Sequence, residues 1–313
     1  MRKLSGAEYA ASKYIELKVD KPCILFDFLL VALHGISKNK VKDILTGHGV
    51  TVNGKNVTLY NYELTPGMTV RVSKHKRNTD LKNKYVKLVY EDKHLIVIEK
   101  NIGILSMPAT AKQFSVKTVL DEYFTRRHFK CNAHIVHRLD RETSGLMIYA
   151  KSIEVQQILE EHWQEIVYDR RYVAVVDGEM EKEGGTISSW LKDNKAFVTY
   201  SSPTDNGGKY AVTHYHTLKR NERQSLIELK LETGRKNQIR VHMQDIGHPV
   251  VGDPKYGNGY NPIGRLALHA FKLNFYHPIT GEQMNFETPI PPLFLKLFNK
   301  GKESGKKDTI QES

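Results

Sequence analysis

The stretch His134–Lys151 reads HIVHRLDRETSGLMIYAK. Its second half, GLMIYAK, is a run of apolar residues with the length and composition of a buried strand. Directly before it stand His137, Arg138, Asp140, Arg141, Glu142, Thr143 and Ser144. One polar loop residue is usually solvated and structural. A block of seven against a buried strand is costly unless the fold uses it, and this favours a functional site.

Strand-like runs recur on both sides of this block: KLVYE, HLIVIEK, RRYVAVVDG, KYAVTHYHTLK, SLIELKLETG and FKLNFY. Helical patterns lie between them, notably VKTVLDEYFTRRH and SIEVQQILEEHWQE. The mixture predicts an α+β domain over residues 86–298 around a central, mostly antiparallel sheet. Upstream, FDFLLVALHGIS places Phe26, Leu29, Leu30 and Leu33 at helical spacing, and Gly35 stops that helix. Ser37 is the expected N-cap of a second helix, KNKVKDILTGHG. Two β-branched runs then flank Asn53-Gly54, a hairpin turn signal. Residues 21–80 therefore read as a small helix-helix-hairpin domain. Residues 1–20 read as a flexible leader, 74–85 as a linker and 299–313 as a disordered tail.

The chain has 313 residues, 47 Lys plus Arg against 35 Asp plus Glu, and a formal net charge of +12. That balance favours polyanionic partners, although many basic proteins bind nothing special. Lys38, Lys40 and Lys42 crowd the start of the second predicted helix, where the helix dipole also favours anions. They are candidate substrate-binding residues. No stretch approaches the roughly 18 uninterrupted apolar residues of a membrane span. The N-terminus lacks the apolar core of a secretory signal, so a cytoplasmic protein is expected. Two cysteines exclude a disulfide framework and a cysteine-based zinc cluster. The pairs His134/His137 and His214/His216 lack carboxylate companions at metalloenzyme spacing, and no metal is expected. GHGVTVNG lacks the closing Gly-Lys-Ser/Thr of a phosphate loop.

The His134–Lys151 block resembles the HRLD…TSGL motif of the RluA/RluD family of pseudouridine synthases. RRYVAVVDG, LETGRKNQIRVHM, HPVVGDPKYG and RLALHAFKLNFYHPITGEQMNFETPIP are similar to further family motifs, in order and spacing. The N-terminal unit resembles the small S-four-like RNA-binding domain that many members carry. The resemblance implies an isomerase acting on RNA without a cofactor. It makes Asp140 the essential carboxylate, Tyr172 the aromatic that stacks on the base and a candidate for later proton transfer, and Arg240 the basic partner of the aspartate. Arg235 and Gln238 become supporting or RNA-contacting residues, and Leu268 an apolar wall of the base pocket. Arg138, on the Asp140 loop, joins the substrate-binding set. The chain departs from the family pattern at Lys236-Asn237, where Thr-His is usual. It departs again at Lys100-Asn101-Ile102-Gly103, where Lys-Pro-x-Gly is usual.

The chemistry fits these residue types. Uracil must leave C1′, turn and rejoin through C5, with no atom added. A carboxylate can stabilise the electron-poor sugar, as nucleophile or as counter-charge. An adjacent guanidinium keeps such a carboxylate ionised when burial opposes it. The base must first leave the RNA stack, and an aromatic face can hold it once flipped.

Each residue has a plainer reading. A Tyr in RRYVAVV is more often core, and Arg235 and Arg240 could bind phosphate or form surface ion pairs. If GRKNQIRVHM is helical, the two arginines lie about 140° apart and do different jobs. The expected substrate is structured RNA, foremost large-subunit ribosomal RNA, with the protein a monomer. The alternatives are a tRNA-directed enzyme, a non-catalytic ribosome-assembly factor, and a hydrolase with Asp140 as nucleophile. A glycosidase would need a second acid, for which Glu142 is the only close candidate.

Overall fold

The computed structural model describes residues 14–298 apart from 47–48, 58, 74–80, 82 and 111–112. The tail expected at 299–313 and most of the linker expected at 74–85 lie outside the described residues. The leader expected over 1–20 does not reach residue 20. Tyr14–Lys18 instead form strand β1, which pairs antiparallel with β6 (Thr69–Ser73), and Arg71 Nε meets Glu16 Oε2 at 2.7 Å across the pair.

The small unit contains β2 (Cys23–Ile24), α1 (Leu25–Ala32), α2 (Lys38–Thr46), β3 (Val50–Val52), β4 (Lys55–Asn56) and β5 (Glu63–Leu64). Its four-stranded sheet runs β1-β6-β3-β4. The backbone N–H of Lys40 donates to Ser37 Oγ at 3.2 Å, the expected cap of α2. Asn53 (φ 48°) and Gly54 (φ 80°) turn the β3–β4 hairpin in the left-handed region. The buried face of α1 is rotated from expectation. Leu25, Phe28 and Leu29 point inward, while Phe26 and Leu30 pack at the margin.

The large unit holds β7 (Val86–Glu91), β8 (Leu95–Lys100), α3 (Val116–Arg126), β9 (His134–Ile135), β10 (Ser144–Ala150), α4 (Ile153–Glu161), α5 (Trp163–Ile166) and β11 (Asp169–Asp177). There follow β12 (Gly184–Asp193), β13 (Thr199–Ser202), β14 (Lys209–Asn221), β15 (Gln224–Leu231), α6 (Gln238–Asp245), β16 (Leu268–Tyr276), β17 (Gln283–Glu287) and α7 (Pro292–Lys296). The strands make one sheet in the order β13-β12-β14-β15-β11-β16-β10-β8-β7, with β9 on β10 and β17 on β16. This is the α+β architecture expected. No described helix is long and apolar enough to cross a membrane.

Strand β10 is buried at every residue. Met147 and Tyr149 face the core that also takes Leu120 and Phe124 of α3. Leu146, Ile148 and Ala150 face the second core, with Val155 and Leu159 of α4. A strand covered on both faces reads as a continuous apolar run, which is why GLMIYAK stands out. Its first residues make the one parallel contact among the described strands, Ser144↔His269 and Gly145↔Ala270. Gly145 has φ 128°, and a Cβ there would sit 2.3 Å from the Ala270 carbonyl oxygen, so only glycine permits the approach. This junction fixes where the polar loop before β10 emerges.

Candidate active site

The loop between β9 and β10 is held by its backbone. Ser106 Oγ donates to the Leu139 carbonyl at 2.7 Å and accepts from the Leu139 N–H at 3.0 Å. The Arg141 carbonyl accepts from Lys100 Nζ at 3.0 Å and from the Gly103 N–H at 2.9 Å. The Thr143 N–H closes a turn onto the Asp140 carbonyl at 3.1 Å. Both neighbours of Asp140 are thus anchored, and its side chain is presented rather than free to wander. Lys100 is fully buried, and burial pushes its pKa down to about 8, while Glu142 and Asp140 act to raise it. The segment Lys100–Gly103, which lacks the usual proline, still cradles this loop. Gly103 takes φ 84°, and Asn101 Oδ1 accepts the Ile102 N–H at 2.9 Å.

Asp140 opens into a cleft of about 380 Å³, within the roughly 300–1,000 Å³ of small-molecule sites. Tyr172, from β11, and Arg240, from α6, line the same cleft, as do Arg138, Arg235, Gln238 and Leu268. The three residues expected to carry chemistry are therefore brought together.

Their pairing differs from expectation. Arg240 gives its fork to Asp253, with Nε–Oδ2 at 2.6 Å and Nη2–Oδ1 at 2.7 Å. Its third nitrogen, Nη1, donates to Asn237 Oδ1 at 3.0 Å and lies 3.6 Å from Asp140 Oδ2. Arg240 is thus a fixed positive charge beside Asp140, and Asp253 is its principal partner. Burial opposes the guanidinium charge, but Asp253 and then Asp140 outweigh it and raise its pKa. Burial would raise Asp253, whose side chain is fully buried, yet Arg240 and the Lys255 and Tyr256 N–H groups bring it down.

Asn237 makes this possible. It sits at φ 54° ahead of α6, a conformation asparagine tolerates well, and donates to Tyr256 Oη at 3.1 Å. The departure from Thr-His thus falls on a residue that holds Arg240. Helix α6 starts only at Gln238, so Arg235 lies in the preceding turn and the helical premise for its angle to Arg240 does not hold. The two arginines still do different jobs. Arg235 is exposed and donates from Nε to the Tyr210 carbonyl at 3.0 Å.

Gln238 lines the cleft, but its amide is committed to the fold. Oε1 accepts from Thr233 Oγ1 and the Arg235 N–H, and Nε2 donates to the Val212 carbonyl and Thr213 Oγ1. A side chain so bonded holds the turn, the supporting one of the two roles expected for it. Leu268 is buried and lines the cleft. Lys38, Lys40 and Lys42 lie on the exposed surface of α2, and none lines the cleft.

Tyr172 is buried, and burial raises its phenol pKa. Asp140 adds to the rise and Arg170 opposes it. The hydroxyl therefore stays protonated at neutral pH. Sequence reasoning missed Asp253, Arg170 and Trp163. Trp163 packs on the His137 ring at 5.0 Å, and the Arg170 guanidinium stands 5.8 Å from the Trp163 ring. His137 Nε2 accepts the Ile148 N–H at 3.0 Å, which places its proton on Nδ1. Burial and then Arg170 lower its pKa to about 3, so it is a neutral wall of the cleft. The signal available for Asp253 was an acid inside HPVVGDPKYG, with nothing nearby in sequence to name its partner.

Two further histidines are held neutral by burial. His242 is lowered to about 4 and bridges Ser189 and Thr213, and His269 is lowered to about 3 and bridges Ser144 and Thr288. Their folded pKa values lie below the unfolded value near 6.5. The unfolded chain then binds more protons, so their stabilisation is complete above pH 6.5 and declines as pH falls toward 4. Each contributes up to about 1.4 kcal/mol per pH unit in that window. Urea unfolding at pH 7.5, 6 and 5 should show the midpoint dropping steadily. A midpoint independent of pH over this range would contradict the assignment.

Comparison with known proteins shows the family. Residues 94–245 match the family described as RNA pseudouridylate synthase. The chain is 36% identical over 269 residues to RNA pseudouridine synthase YjbO of Bacillus subtilis (strain 168), covering 84% of this chain and 94% of that protein. It is 33% identical over 279 residues to ribosomal large subunit pseudouridine synthase D of Escherichia coli O6:H1, covering 83% and 85%. Among solved structures, human RNA pseudouridylate synthase domain containing 1 superposes with a TM-score of 0.55 at 25% identity, over 67% of this chain and 84% of that one. With relatives this similar along most of their length, the chain belongs to the RNA pseudouridylate synthase family and is an isomerase that makes pseudouridine in RNA.

Proposed function

We propose that the chain modifies specific uridines of large-subunit ribosomal RNA, with Asp140 as the reacting carboxylate. The observation that carries this reading is the convergence of Asp140, Tyr172 and Arg240 on one cleft, with Arg240 Nη1 3.6 Å from Asp140 Oδ2. A flipped uracil would lie against Tyr172 and Leu268, and its C1′ would face Asp140. Asp140 would stabilise the electron-poor sugar while uracil is detached. The Arg240 charge, already satisfied by Asp253, stands beside the carboxylate without tying up both of its oxygens. The protonated Tyr172 hydroxyl is available when the C5 proton is redistributed. Arg138 and Arg235 are exposed at the rim, suited to RNA phosphates.

The ribosomal target is supported by the relatives named for the large subunit and by the basic N-terminal unit, which we assign to RNA binding through Lys38, Lys40 and Lys42. We place the protein in the cytoplasm as a monomer. The deciding experiment maps pseudouridine in ribosomal and transfer RNA from cells with and without the gene, and repeats it with purified protein on unmodified transcripts. At least one large-subunit uridine should lose its modification in the deletion and regain it in vitro. Loss confined to transfer RNA would overturn the ribosomal assignment.

A further inference from the structure

Beside the loop that carries Asp140 lies a second cavity, of about 420 Å³. It shares no lining residue with the cleft. Chain neighbours separate here. Thr143 and Leu268 line the cleft, whereas Ser144 and His269 line the second cavity. Its other walls include residues 83–87, which lead into β7, and the end of β8. Four cations line it, Lys84, Lys87, Lys100 and Arg265, against one carboxylate, Glu99. Glu99 already faces Lys87 at 3.4 Å. His269 adds no charge, since burial holds it neutral.

Lys100 and Arg265 are the unusual pair. Lys100 is fully buried and donates from Nζ to the Asn101 carbonyl at 2.9 Å and the Arg141 carbonyl at 3.0 Å. Arg265 donates from Nε to the Leu266 carbonyl at 3.0 Å. From Nη2 it reaches Ser144 Oγ at 2.7 Å and the Leu268 carbonyl at 3.3 Å. These acceptors satisfy hydrogen bonds but carry no net charge. Among the described residues neither cation forms an ion pair. Glu142 acts on both from a distance and pairs instead with Arg141, at 3.6 Å. Burial lowers the pKa of each cation, and Arg265 lowers Lys100 further. Two buried like charges without a counter-charge are costly, and an anion between them relieves the repulsion. Donors to receive one remain. Arg265 Nη1 and Asn83 Nδ2 have no partner among the described residues, and Asn83 Oδ1 accepts the Tyr85 N–H at 2.8 Å, which leaves its amide nitrogen as the free end.

We infer that Lys100, Arg265 and Asn83 form a binding site for a phosphate group, and that its occupancy stiffens the loop carrying Asp140. A guanidinium fork and an ammonium are the side chains suited to phosphate. The link to the loop is direct. Lys100 Nζ holds the Arg141 carbonyl and Arg265 Nη2 holds Ser144 Oγ, so the two cations grip both ends of the turn that follows Asp140. An anion that offsets their repulsion secures both grips at once. Asn101, which stands where the family pattern has proline, also lines the cavity. Its Nδ2 donates to the Lys84 carbonyl at 3.4 Å and ties the two walls together. Because the cavity and the cleft are separate, the site does not depend on which RNA is modified. The phosphate is either free in solution or part of an RNA backbone, and the recognising chemistry is the same.

The probe is inorganic phosphate, added to the full-length protein near neutral pH at fixed ionic strength, with chloride as the balancing anion. Titration calorimetry should show saturable binding, and hydrogen–deuterium exchange should slow across residues 138–147. Arg265→Gln should weaken phosphate binding about tenfold or more. That variant also loses bonds to the fold, so Asn83→Asp supplies a second reading. Its carboxylate can still accept the Tyr85 N–H, but it sets a negative charge in the site. Phosphate binding should again fall about tenfold or more, and the slowed exchange should be lost at the same phosphate concentration. An oligoadenylate, which brings no uridine to the cleft, identifies the source. If it displaces phosphate while the loop stays protected, the ligand is an RNA backbone phosphate. If phosphate stays bound beside it, the ligand is the free anion. No saturable phosphate binding, or loop exchange that chloride slows equally, would overturn the site. So would an Asn83→Asp protein that binds phosphate as the parent does. None of these readings uses turnover, so failure of the ribosomal assignment leaves them untouched.

Discussion

Asp140→Asn should lower the single-turnover rate of pseudouridine formation by about a thousandfold or more while leaving RNA affinity within about threefold of the parent. The substitution keeps shape and removes charge. Arg240 remains fixed by Asp253 and Asn237, so the cleft does not collapse. RNA binding draws on many cations over a chain of net charge +12, so one lost negative charge matters little to it. On the proposed reading the reaction has no such redundancy, because Asp140 is the carboxylate that would face the sugar. Rapid-quench turnover and filter binding on the same RNA separate the two effects. An asparagine variant that keeps a tenth of the parental rate would remove Asp140 from the reaction.

The second large effect belongs to Asp253. Its fully buried side chain accepts two guanidinium nitrogens of Arg240 and two backbone N–H groups. Asp253→Asn leaves a buried guanidinium without its main counter-charge, and breaking one partner of a buried pair costs about 3 kcal/mol or more. Asp140, 3.6 Å away, is the carboxylate to which the freed charge would turn. A carboxylate drawn into a tight pair is less available to C1′. Turnover should therefore fall by about ten- to a hundredfold even at a temperature where the variant is folded. Urea unfolding gives the first quantity and single-turnover kinetics the second. Asp253→Leu/Arg240→Met offers a contrast, because apolar replacement of both partners can restore stability. It should stay inactive. Wild-type stability in Asp253→Asn would show that the fork does not carry the structural weight assigned to it.

These expectations mark where the sequence could be read and where it could not. GLMIYAK announces a central strand because both of its faces are covered, and the Ser37 cap and the Asn53-Gly54 turn are local signals with local causes. Strands β12 and β13 escape notice because their inward residues include Ser189 and Thr199, polar groups buried against α6. Their outward residues include Trp190 and Tyr200, so the hydrophobic alternation is blurred. Strand β1 escapes because five residues gain their meaning only from β6, far along the chain. Within the site, Asp140, Tyr172 and Arg240 are visible through resemblance. The preference of Arg240 for Asp253 is not, since it depends on how a loop after α6 folds back over that helix. Which of its two expected roles Gln238 fills was hidden for a related reason. Its type suits RNA contact, and only its four internal hydrogen bonds reveal that it has none to spare.

The parallel meeting of β10 with β16 has a consequence for how the enzyme comes into being. Ser144 leaves the ribosome long before His269, yet the two must touch before the aspartate loop can settle. A half-made chain therefore carries the carboxylate without the scaffold that aims it, and long-range closure of this kind comes late in folding. Chemical competence is deferred until nearly the whole polypeptide has emerged.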